Sequence, residues 1–168
     1  MGQVSFARDE RLAETLDLYG NMILRIAFSC LKNMTDAEDV LQDVFLKLIE
    51  KQPVFESDEH EKAWLIRVTI NLCRNRLRSP WRYHRDLEDV PLTAPEPDWQ
   101  EGSEVMEAVL ALPEKYREVI HLFYYEDCSV AQIAGLLKKK EATVRSLLFR
   151  ARAMLKKSLK GGVELEEV

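Results

Sequence analysis

SVAQIAGLLKKKEATVRSLLFRARAMLKKSL, residues Ser129–Leu159, reads as two amphipathic helices separated by a run of three lysines. Ser129-Val-Ala-Gln132 is a capping box: the serine hydroxyl and the glutamine side chain each satisfy a backbone N–H that the first turn would leave orphaned. In the second segment, which starts near Glu141, Val144, Leu148, Ala151 and Leu155 recur at spacings of four, three and four and make one narrow apolar stripe. Ser146 and Arg150 lie opposite the stripe, with Arg145 and Arg152 on its flanks. Two helices joined in this way predict a helix-turn-helix, whose second helix enters the major groove and reads base edges near its N-terminal end. The candidate DNA contacts are Lys139, Lys140, Thr143, Arg145, Ser146 and Arg150. Arginine can fork onto guanine, while lysine and threonine can hold phosphates. Lys138 stands in the turn where such motifs often place glycine, and lysine takes a left-handed conformation only at a cost. Helical pairs with a basic turn also occur in proteins that do not bind DNA, so this segment alone leaves both readings open.

Outward from this segment, apolar residues recur at helical spacing almost throughout, and only 6 glycines interrupt 168 residues, so the chain is expected to be all-α. Helices are expected near 8–31, 36–51, 60–78, 103–111, 113–125, 129–137 and 141–159. Thr35-Asp-Ala-Glu38 offers a second capping box, and Pro113 suits a first helical turn. From Ser79 to about Gly102 the helical period is lost, and Pro91, Pro95 and Pro97 mark an irregular linker. The expected organisation is therefore two small helical domains: an N-terminal helical bundle (1–79) and a C-terminal helix-turn-helix domain (103–160). An acidic linker (80–102) joins them, and a flexible tail (161–168) follows.

The net charge of −5 and the pI near 5.4 hide a segregation of charge. Lys62 to Arg85 contains basic residues and no acid, and Lys138 to Lys160 is opposed only by Glu141, whereas every charge from Asp86 to Glu107 is negative. Two basic segments in separate modules fit a two-point contact with a polyanion better than one solvated face does. No run approaches the roughly 18 apolar residues of a membrane span. The first residues lack the apolar core of a signal peptide, and Cys30, Cys73 and Cys128 match no metal spacing. A cytoplasmic protein with reduced thiols, no metal, no cofactor and no membrane insertion is expected. His60, His84 and His121 have no nucleophile or metal pattern around them, which argues against a helical hydrolase.

Four strings, taken in order, resemble the extracytoplasmic-function (ECF) sigma factors, sigma-70-type subunits of bacterial RNA polymerase: DAEDVLQDVFLKLI (Asp36–Ile49), AWLIRVTINLCRNRLR (Ala63–Arg78), LPEKYREVIHLFYYEDCSVAQIAGLL (Leu112–Leu137) and ATVRSLLFRARAMLKK (Ala142–Lys157). The resemblance runs from about Leu16 to Leu159 and implies an alternative sigma factor, not an enzyme, that binds core RNA polymerase and directs initiation at promoter DNA. It implies that the first string grips the coiled coil of the polymerase's largest subunit through Asp39, Gln42, Asp43, Leu46 and Glu50, while Ala37, Val40, Leu41, Val44 and Leu48 are buried. The second string is implied to read the minus-ten element as a single strand through Arg67, Asn71, Arg74 and Arg78. These four share one polar stripe, and Asn71 helps to hold a flipped-out base, which an amide suits because it both donates and accepts. Ser57 and His60 belong to the loop that walls the base pocket, and Phe55 and Trp64 beside them are read as core ahead of stacking groups. The last two strings match the minus-thirty-five reader. The linker is implied to thread the polymerase channel, and an anti-sigma protein is implied as a further partner. Lys138, Leu147 (commonly arginine) and Arg74 (frequently acidic) depart from the family pattern and bear on the promoter sequence read. The competing reading is a stand-alone helix-turn-helix regulator with an N-terminal interaction domain.

Overall fold

The structure, a computed structural model, describes residues 2–78 and 104–159, with side chains from residue 8 onward. The linker expected at 80–102, with its prolines and with Arg82 and Arg85, and the tail expected at 161–168 lie outside the described residues. Among the described residues there are seven α-helices, one π-helical turn and no strand, as expected of an all-α chain. The chain divides into two compact units, Met1–Asp98 and Trp99–Val168.

In the first unit, α1 (Gly2–Leu31), α2 (Met34–Lys51) and α3 (Asp58–Arg78) pack each against the other two. Their shared core is Ile23, Ala27 and Leu31 from α1, Ala37, Val40, Val44 and Leu48 from α2, and Leu65, Ile66, Ile70 and Cys73 from α3. Each of the larger side chains contributes about 1.5–3 kcal/mol by leaving water. Leu41, expected in this core, is half-buried at its margin. The buried Thr69 hydroxyl donates to the Leu65 carbonyl at 2.7 Å, so it is not left orphaned.

The helix ends are set by backbone geometry. Lys32 (φ 57°) and Gln52 (φ 46°) turn left-handed, and their N–H groups close on the Phe28 carbonyl at 2.7 Å and the Leu48 carbonyl at 3.0 Å. Arg8 of α1 reaches the last turn of α2 and donates to the Ile49 carbonyl at 2.6 Å. The start of α2 corrects the sequence expectation. The cap is Asn33, whose side chain accepts from the Asp36 N–H at 3.0 Å, and Thr35 lies inside the helix. Asp36 lies on the inner side of α2, where it is 4% exposed and meets Arg76 of α3.

In the second unit, α4 (Glu104–Leu110), α5 (Glu114–Ile120) and α6 (Val130–Leu137) all pack on α7 (Glu141–Leu159). The expected stripe of Val144, Leu148, Ala151 and Leu155 is buried, together with Leu147 and Arg152. Arg117 donates to the carbonyls of Leu110 (3.3 Å) and Leu112 (3.0 Å), closing the end of α4. The expected single helix 113–125 is α-helical only as far as Ile120, and His121–Tyr125 widens into a π turn. In that turn His121 Nε2 meets Glu126 Oε2 at 2.7 Å, both side chains being almost fully buried, and the imidazole stacks on Tyr125 at 5.3 Å. The i→i+5 spacing of a π turn brings these two residues face to face, which 3.6 residues per turn would not.

Candidate functional site

The outer face of α2 carries Gln42, Leu46, Ile49 and Glu50 in the open, with Asp39 and Asp43 half-buried at its edge. Leu46 is 60% exposed and Ile49 41%, so the face is an apolar centre rimmed by acids. Asp39 is already engaged, because Arg76 forks across Asp36 (3.3 Å) and Asp39 (3.4 Å). In the sequence Arg76 belongs to the basic run from Lys62 to Arg85 but not to the stripe of Arg67, Asn71, Arg74 and Arg78, and the structure turns it toward α2.

On α3, Arg67, Asn71 and Arg78 are exposed and Arg74 is half-buried, so the predicted stripe lies along the side of the helix away from Leu65, Thr69 and Cys73. At the head of the helix the loop before α3 is closed by two bonds to His60. The Ser57 hydroxyl accepts from the His60 N–H at 3.1 Å, and His60 Nδ1 accepts from the Glu56 N–H at 3.1 Å. Histidine stands three residues after the Ser57 cap, as glutamate or glutamine does in a capping box, but its ring accepts from the residue before the cap. An acceptor Nδ1 also fixes the proton on Nε2, which is left as a donor. Phe55 sets its edge to His60 (5.4 Å) and to Trp64 (5.7 Å). Both rings are half-buried in this cluster, a correction to their reading as core residues. Nearby, the Tyr19 hydroxyl bonds to Glu61. Burial, and then the charge of Asp58, hold the Glu61 carboxyl above the ordinary glutamate value, against the opposing pull of Arg11 and the Tyr19 bond.

In the second unit the capping box of Ser129 and Gln132 is present in both directions, at 2.8 and 3.1 Å. Lys138 takes the left-handed conformation (φ 55°, ψ 48°), and the N–H groups of Lys138 and Lys139 both converge on the Ala134 carbonyl. This is a Schellman-type end built without glycine. It leads directly into α7, which exposes Thr143, Arg145, Ser146 and Arg150, with Lys140 exposed and Lys139 half-buried in the turn. Glu141 faces Arg145 at 3.9 Å. Leu147 is 8% exposed and points inward, so the departure from arginine there leaves no apolar side chain in solvent. Arg152, expected on a flank, is buried, donating to the Tyr124 hydroxyl at 2.7 Å and lying over the rings of Phe123 and Tyr124. Sequence reasoning missed Phe149, which is 73% exposed among Arg145, Ser146 and Arg150. A phenylalanine on the polar side of an otherwise clean stripe was the available signal. No cluster that could hold a metal ion occurs among the described residues.

Two units of this kind, a three-helix bundle with an acid-rimmed apolar face and a basic stripe, and a helix-turn-helix, have counterparts among known proteins. The pattern described as Sigma-70 region 2 matches residues 16–83, and Sigma-70, region 4 matches residues 103–155. The chain belongs to the sigma-70 family. The ECF RNA polymerase sigma factor SigW of Bacillus subtilis (strain 168) is 26% identical over 94% of each chain. The RNA polymerase sigma factor HrpL of Pseudomonas syringae pv. syringae is 30% identical over 76% of each. Among solved structures, the sigma factor RpoE in complex with the anti-sigma factor NepR from Bartonella quintana superposes with a TM-score of 0.72 at 26% identity, covering 90% of this chain and 98% of that one. The protein is thus an alternative sigma factor that binds core RNA polymerase and directs initiation at promoter DNA; the stand-alone regulator is not favoured. Among the described residues no helix is long and apolar enough to cross a membrane.

Proposed function

We propose that promoter recognition is divided between the two modules along the boundaries expected from the sequence, 1–79 and 103–160, with 80–102 as the connecting strap and 161–168 as a tail. Asp39, Gln42, Asp43, Leu46 and Glu50 dock on the coiled coil of the polymerase's largest subunit. The exposed Leu46 supplies apolar area, and the acids match a basic partner. Arg67, Arg74 and Arg78 guide the minus-ten strand by its phosphates, and Asn71, at the centre of the stripe, holds an extruded base with Ser57 and His60 in the wall beside it. Opening duplex costs on the order of 1.4 kcal/mol per base step, and captured bases offset that cost. Lys139, Lys140, Thr143, Arg145, Ser146 and Arg150 meet the minus-thirty-five element as duplex.

The phosphodiester chemistry belongs to the polymerase and this chain contributes none of it, working in the cytoplasm and on the nucleoid when polymerase-bound. An anti-sigma protein, the kind of partner named in the Bartonella complex, is the expected inhibitor. The observation that carries this reading is the exposed stripe of Arg67, Asn71 and Arg78 on the helix that belongs to region 2. Run-off transcription with reconstituted holoenzyme tests it: Asn71→Ala should retain polymerase binding and lose open complexes at least tenfold. Unchanged open-complex formation would remove Asn71 from the pocket.

A further inference from the structure

Arg76 sits within the basic segment of α3 but faces away from the exposed stripe. It follows the fully buried Cys73 by three residues and Thr69 by seven, which places it on the inner side of the helix, whereas Arg67, Asn71 and Arg78 are exposed. Its guanidinium spans two carboxylates one turn apart on α2, with Nη1 at 3.3 Å from Asp36 and Nη2 at 3.4 Å from Asp39. The three side chains are graded in depth. Asp36 is 6% exposed, Arg76 25% and Asp39 27%, so the fork runs from the core out to the rim of the acidic face.

We infer that Arg76 is a positioning residue of the polymerase-docking face and not a DNA contact. The inference rests on the proposed docking role of Asp39 and its neighbours. Two carboxylates three residues apart on a helix repel each other, and an exposed aspartate samples several rotamers. A planar fork with one arm anchored on the buried Asp36 holds the Asp39 carboxylate in one orientation, so less freedom is lost when a partner docks. Lysine, a single point charge on a flexible stem, neutralises the pair but orients it less well. The DNA-reading helix therefore contributes to the grip on the polymerase through the geometry it imposes on α2.

The test measures affinity of the full-length chain for core polymerase, and capture of a single-stranded minus-ten oligonucleotide by holoenzyme at saturating sigma. The variants are Arg76→Gln, Arg76→Lys, Asp39→Asn, Leu46→Ala and the double Arg76→Gln/Asp39→Asn. Arg76→Gln is expected to weaken core binding about three- to fivefold, the range of one partly exposed ion pair. Arg76→Lys should fall between it and the native chain, the double variant should be no weaker than the worse single one, and strand capture at saturation should be unchanged. Should Arg76→Gln prove too unstable to assay, Arg76→Lys against Asp39→Asn carries the same comparison. Native core affinity with impaired strand capture would make Arg76 a DNA contact and overturn the inference, as would fully additive losses in the double variant. If Asp39→Asn and Leu46→Ala both leave core affinity untouched, the docking face itself is misassigned and the inference falls with it.

Discussion

Replacing Lys138 by glycine should make the C-terminal unit more stable. The residue ends α6 at φ 55° and ψ 48°, a conformation that places Cβ against the following carbonyl and costs an L-residue about 1–2 kcal/mol. Glycine removes that cost but brings a more flexible unfolded chain, which takes back about 0.4–1 kcal/mol. Taking the middle of each range, the net gain is about 0.8 kcal/mol. For a unit of this size that corresponds to a rise of ~3–6 °C in the midpoint of its thermal transition. The convergence of two N–H groups on the Ala134 carbonyl is a backbone feature and survives the exchange. Scanning calorimetry of the full chain reads the shift in the transition of Trp99–Val168. A midpoint that stays put or drops would show that the lysine side chain stabilises the turn by more than its backbone strain costs. The same variant separates stability from binding. Lys138 is outside the proposed contact set, so the slope of log K against log salt for minus-thirty-five duplex should not change, whereas loss of a phosphate contact would lower it by about 0.9.

Two further expectations concern buried and half-buried charge. Glu61 has its carboxyl raised by burial first and by Asp58 second, so the folded state holds its proton more tightly than the unfolded state does. Stability then declines as pH rises from the ordinary glutamate range through the raised value; Glu61→Gln should flatten that part of the curve, and chemical denaturation across mildly acidic to neutral pH would reveal a persisting decline as the contrary result. His121→Ala leaves Glu126 buried without its 2.7 Å partner and should cost about 3 kcal/mol in urea unfolding, while His121→Leu with Glu126→Leu should recover most of that loss. A single variant as stable as the native chain would mean that the pair adds nothing.

What could be read from the chain alone follows from how local each cause is. The Ser129–Gln132 cap was legible because both partners lie within one turn, and the α7 stripe because burial repeats with the helix period. The start of α2 was not. Thr35 and Glu38 form an equally good local pattern, and the choice went to Asn33 with Asp36 tied to Arg76, forty residues away. Arg76 was legible only as one member of the basic run from Lys62 to Arg85, because charge runs carry no direction. His60 was named on resemblance, but its bond to the Glu56 N–H and the resulting tautomer required coordinates. The half-buried Phe55 and Trp64 were read as core, since aromatic residues near a helix start look alike whether they fill a bundle or line its rim.

The π turn at His121–Tyr125 makes the connections on either side of α6 unequal in their tolerance of length change. It holds one residue more than an α-helical turn would need, kept in place by the His121–Glu126 pair and by the Cys128 N–H on the Leu122 carbonyl at 2.9 Å. Removing a single residue there lets the segment relax into ordinary α-helix, with the slack absorbed before Ser129. The turn from Lys138 to Lys140 has no such reserve. Its few residues fix the angle between α6 and α7, and one residue more or less would turn the buried stripe of α7 out of register with the helices it packs against.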